Sequence, residues 1–293
     1  MYQVIKRDGH VAEFSLNRIS SAIMKAFDAT HIPYAPDVID LLSLQVTADY
    51  ADKIRDGRID VETIQDSVEA VLQRAGYAEV AKAYILYRQN REKLETLCKS
   101  LSEAYSIQAA AFIGDLGDYE TVRELFAPIR RLNLLVNNAG ISHIGLLTDM
   151  SPDQWHRVMS TNLDACFYTC KLAVPLMLYR HSGRILNISS VWGNVGASME
   201  TAYSASKGAV NSLTRALAKE LAPSNIAVNA IACGVIDTDM NRCFSEEELQ
   251  ALIEEIPADR LGQPEEVGLL ALKLAESPLY LTGQIITMDG GFL

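Results

Sequence analysis

From Gln108 onward, short apolar runs alternate with longer amphipathic stretches, and this alternation constrains the fold more than any other feature. The runs are "QAAAFIGD", "LNLLVNNAG", "GRILNISS", "IAVNAIACG" and "GQIITMDGG". Between them lie "DYETVRELFAPI", "SPDQWHRVMSTNLDACFYTCKLAVPLML", "TAYSASKGAVNSLTRALAKELA" and "PEEVGLLALKLAES". Strands that are apolar throughout, separated by helices, specify a parallel sheet buried on both faces. The expected fold class is therefore α/β. Ligands of a doubly wound sheet sit beyond the carboxyl ends of its strands.

The first third of the chain reads differently. "MYQVIKRDGHVAEF" forms a predicted hairpin turning at Asp8-Gly9, a pair that tolerates positive φ. Ser15 can cap a helix in which Leu16, Ile19, Ile23 and Phe27 repeat at helical spacing. Further helices are predicted after Pro36, from Val61 to Ala75, and from Tyr77 onward. Each is amphipathic, so together they form a small helical bundle against the hairpin.

Composition narrows the function classes. Hydrophobic residues make up 49% of the 293 and charged residues 22%, as in a soluble globular protein. A net charge of −11 argues against a general nucleic-acid or anionic-membrane partner. The five cysteines form no C-x-x-C, and the five histidines show no ligand spacing, so no metal site is expected. With no signal-like apolar start and no spanning run, the expected location is the reducing cytoplasm.

Basic residues beside a turn are, taken singly, solvated surface. The pattern they belong to is more specific: "VIKRDG…F…RI..AI.KAF", then "VETIQDSVEAVL", then "AYILYRQNR". Over residues 1–92 it resembles the ATP-cone, the nucleotide-sensing module at the front of ribonucleotide reductases. The resemblance implies that ATP or dATP binds as an effector, with Lys6, Arg7 and Arg18 around the phosphates and Gln65 and Arg88 at other pocket positions. Polyphosphate needs convergent cationic donors of that kind.

In the second part Tyr203 and Lys207 are four apart on a predicted helix and share one face. An ammonium beside a phenol lowers the phenol's pKa from about 10, so Tyr203 is expected to be tuned toward the working range. A lone Y-x-x-x-K is otherwise a surface contact, and Ser190 taken alone reads as a turn or cap serine. "NNAG", Thr161-Asn162, Ser190, "YSASK", "CGVIDT" and "ITMDGG" follow in order, however. Residues 93–293 with their short overlap back to Asn90 therefore resemble the short-chain dehydrogenase/reductase family, nearest its 3-oxoacyl-carrier-protein reductases, on a Rossmann-like parallel sheet.

That resemblance implies a catalytic set of Asn162, Ser190, Tyr203 and Lys207. It further implies NAD or NADP contacts from Asp115, Asn138, Ala139, Gly140, Tyr203, Lys207, Gly234, Val235 and Thr238. A small or carrier-bound carbonyl substrate and homo-oligomers follow from it too. Cys233 stands where the family has proline, which removes stiffness before Gly234. "SHIGLLTDM", "SSVWGNVGAS" and "EEIPADRLGQPEE" resemble a subgroup that reduces a 5-aminopentanone carried on a lysine of elongation factor P.

One element of that family is missing. Its members open with strand, glycine-rich loop, helix and second strand, which cradle the dinucleotide pyrophosphate. Before Asn90 only Gly9, Gly57 and Gly76 occur, none in that arrangement. The sheet is thus expected to be truncated, with dinucleotide affinity weakened or lost. The strand in "LNLLVNNAG" would lose its neighbour, and "QAAAFIGD" or another chain is expected to cover that edge. Two functions follow: an NAD(P)-dependent carbonyl reductase fused to a nucleotide sensor, or a nucleotide-binding chimera with an inactive reductase part.

Overall fold

The computed structural model describes residues 2–6, 9–30 and 32–293, so Arg7, Asp8 and His31 lie outside the described residues. The chain divides into two compact units, Met1–Ile113 and Gly114–Leu293. A mixed α/β architecture with a Rossmann-like parallel sheet is the result.

In the first unit, β1 (Gln3–Ile5) pairs antiparallel with β2 (Val11–Glu13), and Gly9 closes the turn at φ +80°. A third strand, β3 (Arg58–Asp60), joins β1 in parallel, although "RID" is too short to announce itself by alternation. Four helices cover this sheet: α1 (Leu16–Thr30), α2 (Pro36–Asp49), α3 (Val61–Arg74) and α4 (Ala78–Tyr105). Their apolar faces meet through Ile23, Phe27, Val46, Tyr50, Val68, Leu72 and Val80, all fully enclosed. Each such side chain contributes about 1.5–3 kcal/mol by leaving water. Gly76, at φ +85°, separates α3 from α4, as its position in the sequence suggests. The expected module boundary at 92/93 falls inside α4, which runs on until Ser106 turns left-handed at φ 53°.

The second unit is built on a four-stranded parallel sheet, β4 (Leu134–Asn137), β5 (Gly183–Ser190), β6 (Ile226–Cys233) and β7 (Ile285–Met288), in that spatial order. Its helices are α5 (Tyr119–Phe126), α6 (Pro152–Met159), α7 (Ala165–Leu178), α8 (Trp192–Val195), α9 (Thr201–Leu221), α10 (Glu246–Glu254) and α11 (Pro264–Glu276). Helix starts follow local chemistry. Ser151 and Gln154 form a reciprocal capping box with Pro152 at the first position of α6, and Ser245 and Glu248 do the same for α10. β6 is buried at every residue, as a central parallel strand must be.

The expectation for "QAAAFIGD" is corrected here. Residues 107–113 form no strand, and β4 is the terminal strand of the sheet. Leu134 and Val136 remain 38% and 44% exposed. The run has only one β-branched residue, Ile113, and its three alanines bring little side-chain area to a new seam.

A buried polar ladder ties the layers together. Thr169 Oγ1 donates to Asn137 Oδ1 at 2.7 Å, Asn137 Nδ2 to Asn187 Oδ1 at 2.9 Å, and Asn187 Nδ2 to Thr214 Oγ1 at 2.8 Å. It joins α7, β4, β5 and α9 in one hydrogen-bonded row. Cys166 and Cys170 pack beside it, each within sulfur hydrogen-bond reach of Asn137 Nδ2.

Helices α8 and α9 approach closely at Gly193, where a Cβ would stand 2.7 Å from the Lys207 carbonyl carbon and 2.9 Å from Gly208 N. Both are backbone atoms that cannot step aside. Gly193→Ala is expected to cost about 1–3 kcal/mol by forcing α8 from α9, and a lowered melting temperature by circular dichroism checks it.

A candidate active site at the carboxyl end of the sheet

The strands β4, β5 and β6 end together, and their following residues enclose a cavity of about 990 Å³. Ser190 ends β5, and Cys233 ends β6 opposite it in register. One turn into α9, Tyr203 and Lys207 lie on the buried face and line the same cavity. Asn138, Gly140, Gly234, Val235 and Thr238 line it too.

Lys207 is 4% exposed, and its Nζ donates to the carbonyl of Ile188 at 2.8 Å. Burial pushes its pKa down, because the ammonium has exchanged water for a single protein acceptor. Nζ stands 5.7 Å from the Tyr203 ring centre. Tyr203 is 9% exposed, and burial raises its phenol to about 12. The hydrogen bond with Ser190 opposes that rise, while the nearby Glu200 adds to it. The expectation that Lys207 lowers the phenol is therefore corrected. Helical spacing brings the two side chains together, but desolvation outweighs a lysine whose ammonium is directed at Ile188.

Asn162 lies behind this wall, 3% exposed. The helical run from α6 to α7 is interrupted there by a π-helical turn, Ser160–Asp164. The Asn162 side chain accepts from Ile141 N at 2.8 Å, donates to Ile141 O at 2.9 Å and donates to Ser206 Oγ at 3.0 Å. The loop after β4 is thereby clamped to α9. A Cβ on Gly140 would lie 3.2 Å from Lys207 Nζ and 3.4 Å from Asn162 Oδ1, so a side chain there would crowd both. Asn162 and Ala139 line a second cavity of about 290 Å³, which also reaches Asn138. Asp115 lines neither cavity; its Oδ1 accepts the Gly117 amide at 2.8 Å.

Where proline is absent at Cys233, hydrogen bonds hold the turn. Val191 N donates to Cys233 O, and Gly234 N to Met288 O, each at 2.9 Å. Gly234 presses on Asp289, and a Cβ would come within 2.7 Å of its Cα. Val235 O accepts from Gly262 N at 3.0 Å, and Thr238 Oγ1 is 3.4 Å from Ile236 O. Trp192 lines the cavity and meets Phe292 edge-on at 5.6 Å.

The acidic lining was missed in the sequence. Glu200, Asp237, Asp239 and Glu248 all border the large cavity, where Lys207 is the only cation among the described lining residues. Ser142 Oγ donates to Glu200 Oε2 at 2.5 Å. The available signal was the position of Glu200 just before the predicted helix, three residues ahead of Tyr203.

In the first unit, the described nucleotide candidates come from α1, α3, α4 and the residue after β1. Arg88 is held by Glu62, Asp66 and Glu69, with Glu92 at 3.8 Å. Arg18 is exposed on α1, and Lys6 follows β1. Gln65 is partly buried on α3. A cavity of about 520 Å³ in this unit is lined by residues of α2 and α3 together with Ala75, and by none of these candidates.

Comparison with known proteins agrees with this geometry. Residues 72–249 match the short chain dehydrogenase family and residues 2–93 the ATP cone domain. The stretch shared by both matches, 72–93, is helical apart from residues 75–77, in α3 and α4. A Bacillus subtilis protein described as an uncharacterized oxidoreductase is 34% identical over 78% of this chain and 94% of its own length. A 3-oxoacyl-[acyl-carrier-protein] reductase of Thermotoga maritima is 36% identical over 70% of this chain and 85% of its own. Among solved structures, a gluconate 5-dehydrogenase from Burkholderia cenocepacia, in complex with NADP and tartrate, superposes with a TM-score of 0.64 at 33% identity. It covers 69% of this chain and 82% of that one.

Replacing Asn162 by Ala strands the Ile141 amide and carbonyl in a buried setting. Each unmet group costs about 1–3 kcal/mol, so urea unfolding of Asn162→Ala should show a marked loss of stability.

Proposed function

The chain belongs to the short-chain dehydrogenase family and carries an ATP-cone domain ahead of it, and from that premise we propose that the second unit is an NAD(P)-dependent carbonyl–alcohol oxidoreductase. The observation that carries this reading is the convergence of Ser190, Tyr203 and Lys207 on one wall of the large cavity.

The residues present fit one end of the cofactor. Gly140 leaves open a cradle that a Cβ would crowd, beside Lys207 and Asn162, and Gly234 and Val235 border the same space. Lys207 would hold the nicotinamide ribose; Asn138, Ala139, Val235 and Thr238 would flank the ring, and Asp115 the adenine. A fit at the pyrophosphate end is not supplied: Gly9, Gly57 and Gly76 sit singly at φ +80°, +71° and +85°, and no glycine-rich strand-to-helix turn occurs among the described residues. The affinity for the dinucleotide is accordingly weak.

A bound reduced nicotinamide supplies the hydride. Tyr203, with its phenol raised to about 12, holds its proton at neutral pH and delivers it to the carbonyl oxygen. Ser190, hydrogen-bonded to Tyr203, orients that oxygen. Lys207, fixed by Ile188 and 5.7 Å from the Tyr203 ring centre, would serve to hold the cofactor's ribose rather than to lower the phenol. The sign follows: reduction needs the phenol, present far above pH 7, whereas alcohol oxidation needs the scarce phenolate. Reduction rates should stay flat from about pH 6 to 9 while oxidation rates climb, and Tyr203→Phe should lose about 10²–10⁴-fold in turnover. No NAD(P)H-dependent turnover of any ketone at saturating cofactor would leave only the nucleotide-binding reading.

The carboxylates around the cavity favour a substrate bearing a cation. A 5-aminopentanone carried on a protein lysine suits this lining better than an acyl-carrier thioester, whose arm carries a phosphate. Glu200→Gln is expected to raise the KM for an amine-bearing ketone about tenfold or more and leave a neutral ketone unchanged. Calorimetric titration with ATP and dATP tests the first unit. Its phosphate contacts are assigned to Lys6, Arg7 and Arg18, with Gln65 alongside and Arg88 after release from its carboxylates. Arg18→Ala should weaken binding about tenfold.

A further inference from the structure

The outer flank of β4 combines three properties: free backbone groups, exposed apolar side chains and a charge that changes sign from end to end. In the β4–β5 register, Leu134 stands opposite Arg184, and Arg184 N donates to Asn133 O at 3.0 Å. Parallel pairing alternates, so Asn133 and Leu135 face β5, and the peptide groups of Leu134 and Val136 face outward. Those two residues are also the exposed ones. The cavity of about 290 Å³ on this flank adds Phe126, Ile129 and Leu132 to the apolar lining. Natural edge strands are blunted by lysine, proline or a bulge, and "LLVN" has none of these.

The charges lie at opposite ends. Arg130 and Arg131 lie just upstream of β4, separated from it by Leu132 and Asn133. Asp115 and Asp118 belong to the other end: a Cβ on Gly117, between them, would stand 3.3 Å from Ser160, two residues from the Asn162 that bonds Ile141 in the loop after β4. None of the four makes an ion pair among the described residues. Arg131 Nε meets only Asn133 Oδ1, and the two carboxylates accept from Gly117 N and from Thr121.

We propose that this edge is closed by the same edge of a second copy of the chain, the two β4 strands running antiparallel about a two-fold axis. Antiparallel pairing sets Arg130 and Arg131 of each copy near Asp115 and Asp118 of the other, twice over. Parallel pairing would set like charges together. Joining β4 to the opposite edge, β7, would produce an open-ended filament, whereas β4 against β4 closes on itself. The outward amides of Leu134 and Val136 then gain acceptors, and their side chains gain cover.

Residue-resolved hydrogen exchange on the full chain tests this seam separately from any other self-association surface. The amides of Leu134 and Val136 should exchange about tenfold or more slowly at high protein concentration than at low. Val136→Lys, at an exposed position, should abolish the concentration dependence. Arg130→Glu with Arg131→Glu, outside every strand and helix, should weaken it even if the lysine variant fails to fold. Fast exchange at all concentrations, or slow exchange independent of concentration, overturns the proposal.

Discussion

Lys207 is a buried lysine held by one backbone carbonyl, and the carboxyl end of the sheet is arranged around it. A charge this enclosed is costly unless a protein acceptor replaces water. Ile188 supplies its carbonyl because β5 places that residue beside α9. Gly140 lets the loop after β4 pass within a Cβ's contact of Nζ, and Gly193 lets α8 close over the Lys207 backbone. Tyr203 rests one turn earlier on the same helix, and Asn162 holds the neighbouring loop. Remove the backing at any of these points and the lysine would regain water, and the phenol would lose the dry setting that keeps it protonated.

The sheet also explains what is lost. In a doubly wound fold the central strands deliver both a glycine-rich turn and a helix start to the cofactor's phosphates. Among the described residues the sheet comprises β4 through β7, whose ends carry Ser190 and Cys233, and at β4 it stops. The residues that the dehydrogenase match shares with the ATP cone, 72–93, fold mainly as helix, in α3 and α4. One sequence stretch thus satisfies two family patterns, while its physical chemistry selects one structure. Apolar residues at helical spacing, Val80, Ala81 and Tyr84, are buried in the first unit's core.

Much of this was legible in the residues themselves. Continuous apolar runs located β4, β5, β6 and β7, and the amphipathic stretches located the helices, because period and burial are coupled directly to side-chain direction. The run "QAAAFIGD" misled for a physical reason: small apolar residues satisfy a hydrophobic pattern without the branched bulk that secures a strand. Strand β3 escaped notice because three residues cannot establish a period. Spacing brought Tyr203 and Lys207 together correctly, yet the direction of the Tyr203 shift depended on how deeply both are enclosed, which no spacing encodes. Arg88 could be recognised as a conspicuous cation, but its carboxylate partners come mostly from a different helix. The acidic rim, drawn from three separate stretches of chain, becomes visible only when folding gathers it.

The central claim is that the nicotinamide-facing half of a hydride-transfer site is present here without the cradle for the rest of the dinucleotide. Comparing the affinities of NADPH and reduced nicotinamide mononucleotide by fluorescence titration addresses it most directly. If the chain grips only the nicotinamide end, the two should bind within about tenfold of one another, a difference of no more than about 1.4 kcal/mol. NADPH binding about a hundredfold tighter or more would show a working pyrophosphate and adenine site and contradict the account.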